Sequence, residues 1–69
     1  MNWVAIGSSN LAAVSYDRDR SILYVQFRNG HDYVYYDVPS DMYYRLLDAP
    51  SRGAFFNKNI ARHFHYARL

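Results

Sequence analysis

The sequence predicts an α+β fold in a single domain: a small three-stranded antiparallel sheet, β-β-β, followed by two short helices and a C-terminal arm or short strand. Three observations carry this. Ile22 to Arg28 alternates apolar Leu23, Val25 and Phe27 with Tyr24, Gln26 and Arg28, the period-2 pattern of a half-buried strand. Asn29-Gly30 follows at once, a dipeptide suited to the positive φ angles of a tight hairpin turn. Beyond Pro39, the residues Met42, Tyr43, Leu46 and Leu47 recur at helical spacing, so the apolar period changes.

Taken in order, Leu11 to Asp17 is rich in small and β-forming residues and stops at the polar turn cluster Asp17-Arg18-Asp19-Arg20-Ser21, which makes it the first strand. The second strand is Ile22 to Arg28 and the third His31 to Val38. A two-residue type I′ turn at Asn29-Gly30 would set Arg28 opposite His31, Gln26 opposite Tyr33, Val25 opposite Val34, Tyr24 opposite Tyr35 and Leu23 opposite Tyr36. That register sorts Leu23, Val25, Phe27, Val34 and Tyr36 onto a core face. Tyr24, Gln26, Arg28, His31, Tyr33 and Tyr35 then share an outer one. Ser40 is the expected N-cap of a helix running to about Ala49, with Asp41 at the positive end of its dipole. Pro50 ends that helix, and Ser51 can cap a second one, in which Phe56 and Ile60 share a face and Gly53 is a weak point. The stretch Arg62 to Leu69 alternates Phe64 and Tyr66 against His63 and His65, which leaves a fourth strand and an extended arm both open. Residues 1–9 are expected to be flexible or an arm of the same domain, which spans 1–69.

Composition bounds the function. With 51% hydrophobic and 20% charged residues the chain has the profile of a folded domain, but at 69 residues it has room for one core only. The absence of cysteine excludes disulfides, thiolate metal sites and thiol nucleophiles. No stretch approaches the ~20 apolar residues of a membrane span, and the N-terminus lacks the pattern of a signal peptide, which points to a soluble cytoplasmic protein with no membrane partner. Aromatic residues reach 19%, more than so small a core can hide, so some must lie at a surface or interface. Net charge is only +2, yet residues 51–69 hold Arg52, Lys58, Arg62 and Arg68 with no acid, forming a basic pole.

The order of these signals resembles the KTSC domain, a module found at the C-terminus of some lysyl-tRNA synthetases and as small stand-alone bacterial and phage proteins. The matching pieces are Ser8-Ser9-Asn10-Leu11, Val14-Ser15-Tyr16-Asp17, Leu23 through Gly30, Tyr33-Val34-Tyr35, Val38-Pro39, and Ala49 through Gly53 continuing to Phe56-Asn57-Lys58-Asn59-Ile60. The resemblance implies a compact module of strands followed by helices, with a suggested RNA-binding role; it brings no known activity.

Two constellations could hold a ligand. Ser51-Arg52-Gly53 stands at a helix N-terminus, where free N–H groups and the dipole favour phosphate or carboxylate; Arg52, Lys58 and Arg62 would add charge, and Asn57 a hydrogen bond to a base or sugar. The competing reading is an ordinary capped helix with a packing glycine. The expected outer face, with Tyr24, Tyr33 and Tyr35 beside Arg28 and Gln26, has the residue types that stack bases and meet phosphates. Its competing reading is a protein interface, or a face covered by Phe64 and Tyr66. His63 and His65 lack a third ligand, so no metal or other cofactor is expected. The Asp residues fall in turns and at helix starts, there is no Glu, and no glycine-rich phosphate loop is present, so no catalytic residues are assigned. The expected function is therefore a non-catalytic binding module for RNA, a nucleotide or another phosphorylated ligand. The alternative is a protein-interaction module that forms a homo-oligomer or docks on a host protein, for example as a phage-encoded modulator.

Overall fold

The computed structural model describes all of residues 1–69, in the order β1 (Val4–Ala5), β2 (Leu11–Asp17), β3 (Ile22–Phe27), β4 (Asp32–Tyr35), α1 (Ser40–Asp48), α2 (Arg52–Asn59) and β5 (Tyr66–Arg68). The strands form one antiparallel sheet in the sequential order β1-β2-β3-β4-β5. The sheet is thus five-stranded, where the sequence pattern led to three. The two additions are short edge strands, and a strand of two or three residues carries too little alternation to register as a pattern. The C-terminal stretch resolves as a strand, and the N-terminal one contributes β1.

The β3–β4 turn corrects the predicted register. Only Ser21 and Asp37 among the non-glycine residues have positive φ, so Asn29 does not take the conformation a type I′ turn demands. Instead the Gly30 N–H donates to the Phe27 carbonyl at 3.0 Å and the Phe27 N–H to the His31 carbonyl at 2.9 Å, enclosing a three-residue loop with Gly30 at φ +90°. This is a type I turn followed by a left-handed glycine, the other common hairpin closure. The Asn29 side chain reinforces it by accepting the His31 N–H at 3.0 Å. One extra loop residue shifts every pair: Leu23 lies opposite Tyr35, Tyr24 opposite Val34, Val25 opposite Tyr33 and Gln26 opposite Asp32. Tyr33 and Tyr35 therefore share the core face with Leu23 and Val25, and Val34 turns to the outer face with Tyr24.

Both helices pack on that one face. Phe56 of α2 sits edge-on against Phe27 and Tyr35, with ring centroids 5.7 and 5.4 Å away. Tyr43 of α1 stacks on Tyr16 of β2 at 4.6 Å. The Tyr16 hydroxyl donates to the Val38 carbonyl, which fixes the β4–α1 connection to the sheet. Leu11, Val14, Leu23, Val25, Leu46, Phe56 and Ile60 complete a dry centre. Phe56 and Ile60 share the buried face of α2 as their spacing requires. The caps differ from each other. Ser51 does cap α2, accepting the Ala54 N–H at 3.3 Å, whereas α1 is capped by Pro39 without a side-chain bond and Ser40 is its first helical residue. No helix is long and apolar enough to cross a membrane.

Candidate functional site

The first candidate region is a polar cleft between the loop Ile6–Asn10 and the segment Ala49–Ala54, with Asn57 on its wall. Four of its side chains, Arg52, Ser8, Asn10 and Ser51, make hydrogen bonds within the fold. Arg52 donates through Nε to the Leu47 carbonyl at 3.0 Å and through Nη1 to the Ile6 carbonyl at 3.1 Å, so its guanidinium clamps the end of α1 to the chain leaving β1. A methyl group at Gly53 would lie 2.6 Å from Ser8 Oγ and 2.8 Å from Asn10 Oδ1, which means the helix backbone rests on the loop at that point. The Ser8 hydroxyl in turn donates to Asn10 Oδ1 at 2.8 Å. The cap oxygen of Ser51 is occupied by its own helix. Arg28 belongs to the same brace: its Nε donates to the Ser8 carbonyl at 2.6 Å and its backbone N–H to the Asn10 carbonyl at 3.0 Å. Asn57, Lys58 and Arg62 remain exposed.

The tyrosines separate in a way the expected register did not allow. Tyr24 is half-buried on the outer face, opposite Ser15 and Val34. Tyr35 is 4% exposed on the core face, with Phe56 against it. Burial, helped by neighbouring Tyr33 and Tyr66, pushes its hydroxyl pKa up to about 12. Burial also raises the Tyr43 hydroxyl, with a smaller contribution from Tyr44. Tyr33 is half-buried and bridges Phe27, at 5.4 Å and edge-on, to Tyr66 of β5 at 5.8 Å.

Tyr66 is the residue that sequence reasoning missed. It lies 5.6 Å from Tyr35 and 5.8 Å from Tyr33, centroid to centroid, and is 52% exposed. The register sets Arg68 directly opposite Tyr33 on the same face, where its Nη2 lies 2.6 Å from Nδ1 of His31. Beyond Phe56 the core face thus carries an aromatic shelf, buried at Tyr35 and open at Tyr66, edged by Arg68 and His31. The alternation of Phe64 and Tyr66 with His63 and His65 was the available signal, but nothing in it told which strand the tail would join. No group of three or more His, Asp or Glu side chains converges as metal ligands would.

A five-stranded meander with two helices on one face, a clamped polar cleft and an open tyrosine shelf defines a small α+β module whose prominent surface features are aromatic and basic. Comparison with known proteins makes the assignment specific: residues 7–64 match the KTSC domain, and the chain belongs to that family. It is similar to an uncharacterised protein of Stutzerimonas stutzeri, 39% identical with 100% of this chain and 99% of the relative covered. A protein of Tsukamurella paurometabola is 36% identical, with 93% and 96% covered. The crystal structure of a KTSC domain protein from Yersinia pestis superposes with a TM-score of 0.94 at 29% identity, covering 99% of this chain and 96% of that one.

Proposed function

We propose that the chain is a non-catalytic module that binds single-stranded RNA, with bases stacking on Tyr66 and Tyr33 and the backbone phosphates meeting Arg68, Arg62 and Lys58. The observation that carries this reading is the open end of the tyrosine shelf. A half-exposed ring, 5.8 Å from a second tyrosine and beside an arginine, presents a π-face that is open to a stacking partner. Stacking on such a ring is worth ~1–3 kcal/mol per base and tolerates any base. The basic residues add a phosphate-directed contribution that needs no sequence information. The cleft at Ser51, Arg52 and Gly53 fits this role less well, because its cation and its glycine are engaged in packing.

The test is fluorescence anisotropy with a labelled single-stranded oligoribonucleotide at two salt concentrations. Three phosphate contacts on a single strand give a slope of about −2 in log affinity against log salt. Tyr66→Ala is expected to weaken binding about tenfold or more while leaving thermal stability nearly unchanged, since the ring is half-exposed. Equal binding by Tyr66→Ala and the parent protein contradicts the reading.

A further inference from the structure

We infer that β5 is a homodimer contact, in which the open edges of two copies pair antiparallel about Ala67. This is separate from RNA binding, but it draws on the same Tyr66 and Arg68 side chains, so RNA and the partner copy compete for them. β5 ends the sheet, and its bonds to β4 settle which backbone groups are free. Leu69 N–H donates to the Asp32 carbonyl at 2.9 Å and Tyr36 N–H to the His65 carbonyl at 2.8 Å, in phase with the Val34–Ala67 pair between them. In an antiparallel ladder the groups of alternate residues point to alternate sides. Residues 65, 67 and 69 therefore face β4, and Tyr66 and Arg68 direct their N–H and C=O groups outward.

That edge is self-complementary. With Tyr66 of one copy opposite Arg68 of the other, every facing residue has its polar groups turned toward its partner, so two hydrogen-bonded pairs form around the two-fold axis. Ala67 meets its own copy at the central, non-hydrogen-bonded position, where side chains approach most closely and the smallest one fits best. Tyr66 and Arg68 lie on one face of the strand, so each ring meets the other copy's guanidinium across the axis, a cation–π pair repeated twice. Edges that natural proteins keep single are short or carry charge, proline or a bulge; β5 is short but has no proline and no bulge, and its one charge, Arg68, faces the partner's ring in this register. The opposite edge, Val4–Ala5, is a poorer partner for β5, because joining two different edges gives an open chain of copies while β5 with β5 closes at two. Pairing in this register also brings two tyrosine shelves together on one face. A contact of three residues a side is small, so the dimer is weak and depends on concentration.

Two measurements decide it. Sedimentation equilibrium on the unsubstituted protein is expected to show the average mass rising from monomer toward dimer with concentration; a monomer mass maintained up to about 1 mM overturns the inference. Because the chain has no cysteine, single-cysteine variants report the register. Ala67→Cys puts two thiols at the axis, where a disulfide is geometrically allowed, and is expected to cross-link under mild oxidation about tenfold faster than Arg18→Cys in the exposed β2–β3 turn. Adding Arg68→Pro, which removes an outward N–H without touching a bond to β4, is expected to abolish that advantage, with circular dichroism as the control for folding. Equal cross-linking rates for the two cysteine variants overturn the proposed register. An Ala67→Cys advantage undiminished by Arg68→Pro in a folded protein does the same.

Discussion

Replacing Arg52 with alanine separates a residue that holds the fold from one that holds a ligand. The guanidinium makes two hydrogen bonds to main-chain carbonyls, at Leu47 and Ile6, from a half-buried position. Leu47 is in the last turn of α1, where carbonyls lack helical partners and a cation is favoured by the dipole. Hydrogen bonds from a charged donor contribute about 1.5–3 kcal/mol each, and partial exposure holds both near the lower end, so Arg52→Ala should cost about 2–4 kcal/mol. A domain of this size is stable by only about 3–10 kcal/mol in total, so the loss is a large part of it. At about 4–8 °C per kcal/mol the midpoint should fall by at least about 8 °C. Arg52→Lys, which can reach one carbonyl and not both, should fall between. Thermal unfolding followed by circular dichroism measures the shift, beside an RNA titration of whatever remains folded. An unchanged midpoint together with a clear loss of RNA affinity would refute the clamp and restore Arg52 to a binding surface.

Gly53→Ala sets two opposing effects against each other: alanine gains about 1 kcal/mol of helix propensity, but its methyl meets Ser8 Oγ and Asn10 Oδ1 below 3 Å and displaces their mutual hydrogen bond. A net loss of about 1 kcal/mol is expected in chemical denaturation, partly relieved by Ser8→Ala; stabilisation would show that α2 does not rest on the loop. Tyr35→Ala empties a buried position against Phe56 and should cost about 3–5 kcal/mol, with Tyr33→Ala, half-buried, costing clearly less. The raised Tyr35 pKa gives stability that is fully present below about pH 10, where the unfolded chain's tyrosines begin to ionise, and that is lost as pH climbs toward about 12. Ultraviolet titration of phenolate formation, compared between the parent protein and Tyr35→Phe, should place the Tyr35 phenolate near pH 12; its appearance near pH 10 would contradict its burial.

What the sequence made legible follows from how strongly each signal is tied to geometry. The β2–β3 pair, the placing of both helices and the Ser51 cap rest on periodicity and capping chemistry, and all stand in the structure. Ser40 failed as a cap because Pro39 holds that position: its backbone is extended and its carbonyl accepts the Met42 and Tyr43 N–H groups, which makes Ser40 the first helical residue. The faces of β4 were undetermined by local pattern. Asn29-Gly30 suits both a two-residue turn and a three-residue loop closed by a left-handed glycine, and Tyr33-Val34-Tyr35 alternates equally well in either phase. What decides between them is Phe56, a partner twenty-one residues downstream that packs on Tyr35. The site suffered the same limitation. Arg52, Arg28 and Gly53 have the residue types of an anion site, and only the carbonyls and side chains they meet assign them to packing. Tyr66 and Arg68 acquire their meaning from β5 pairing with β4, a contact across the whole second half of the chain.

Engagement of RNA by the open tyrosine shelf is tested most directly by a two-dimensional NMR titration of the labelled protein with a short single-stranded oligoribonucleotide. The largest shifts are expected at Tyr33, Tyr66 and Arg68, with lesser ones at Arg62 and Lys58 and little change at Ser8, Asn10 and Ser51. Shifts centred on the cleft between Ile6–Asn10 and Ala49–Ala54, or no shifts at low salt and high RNA concentration, would contradict it.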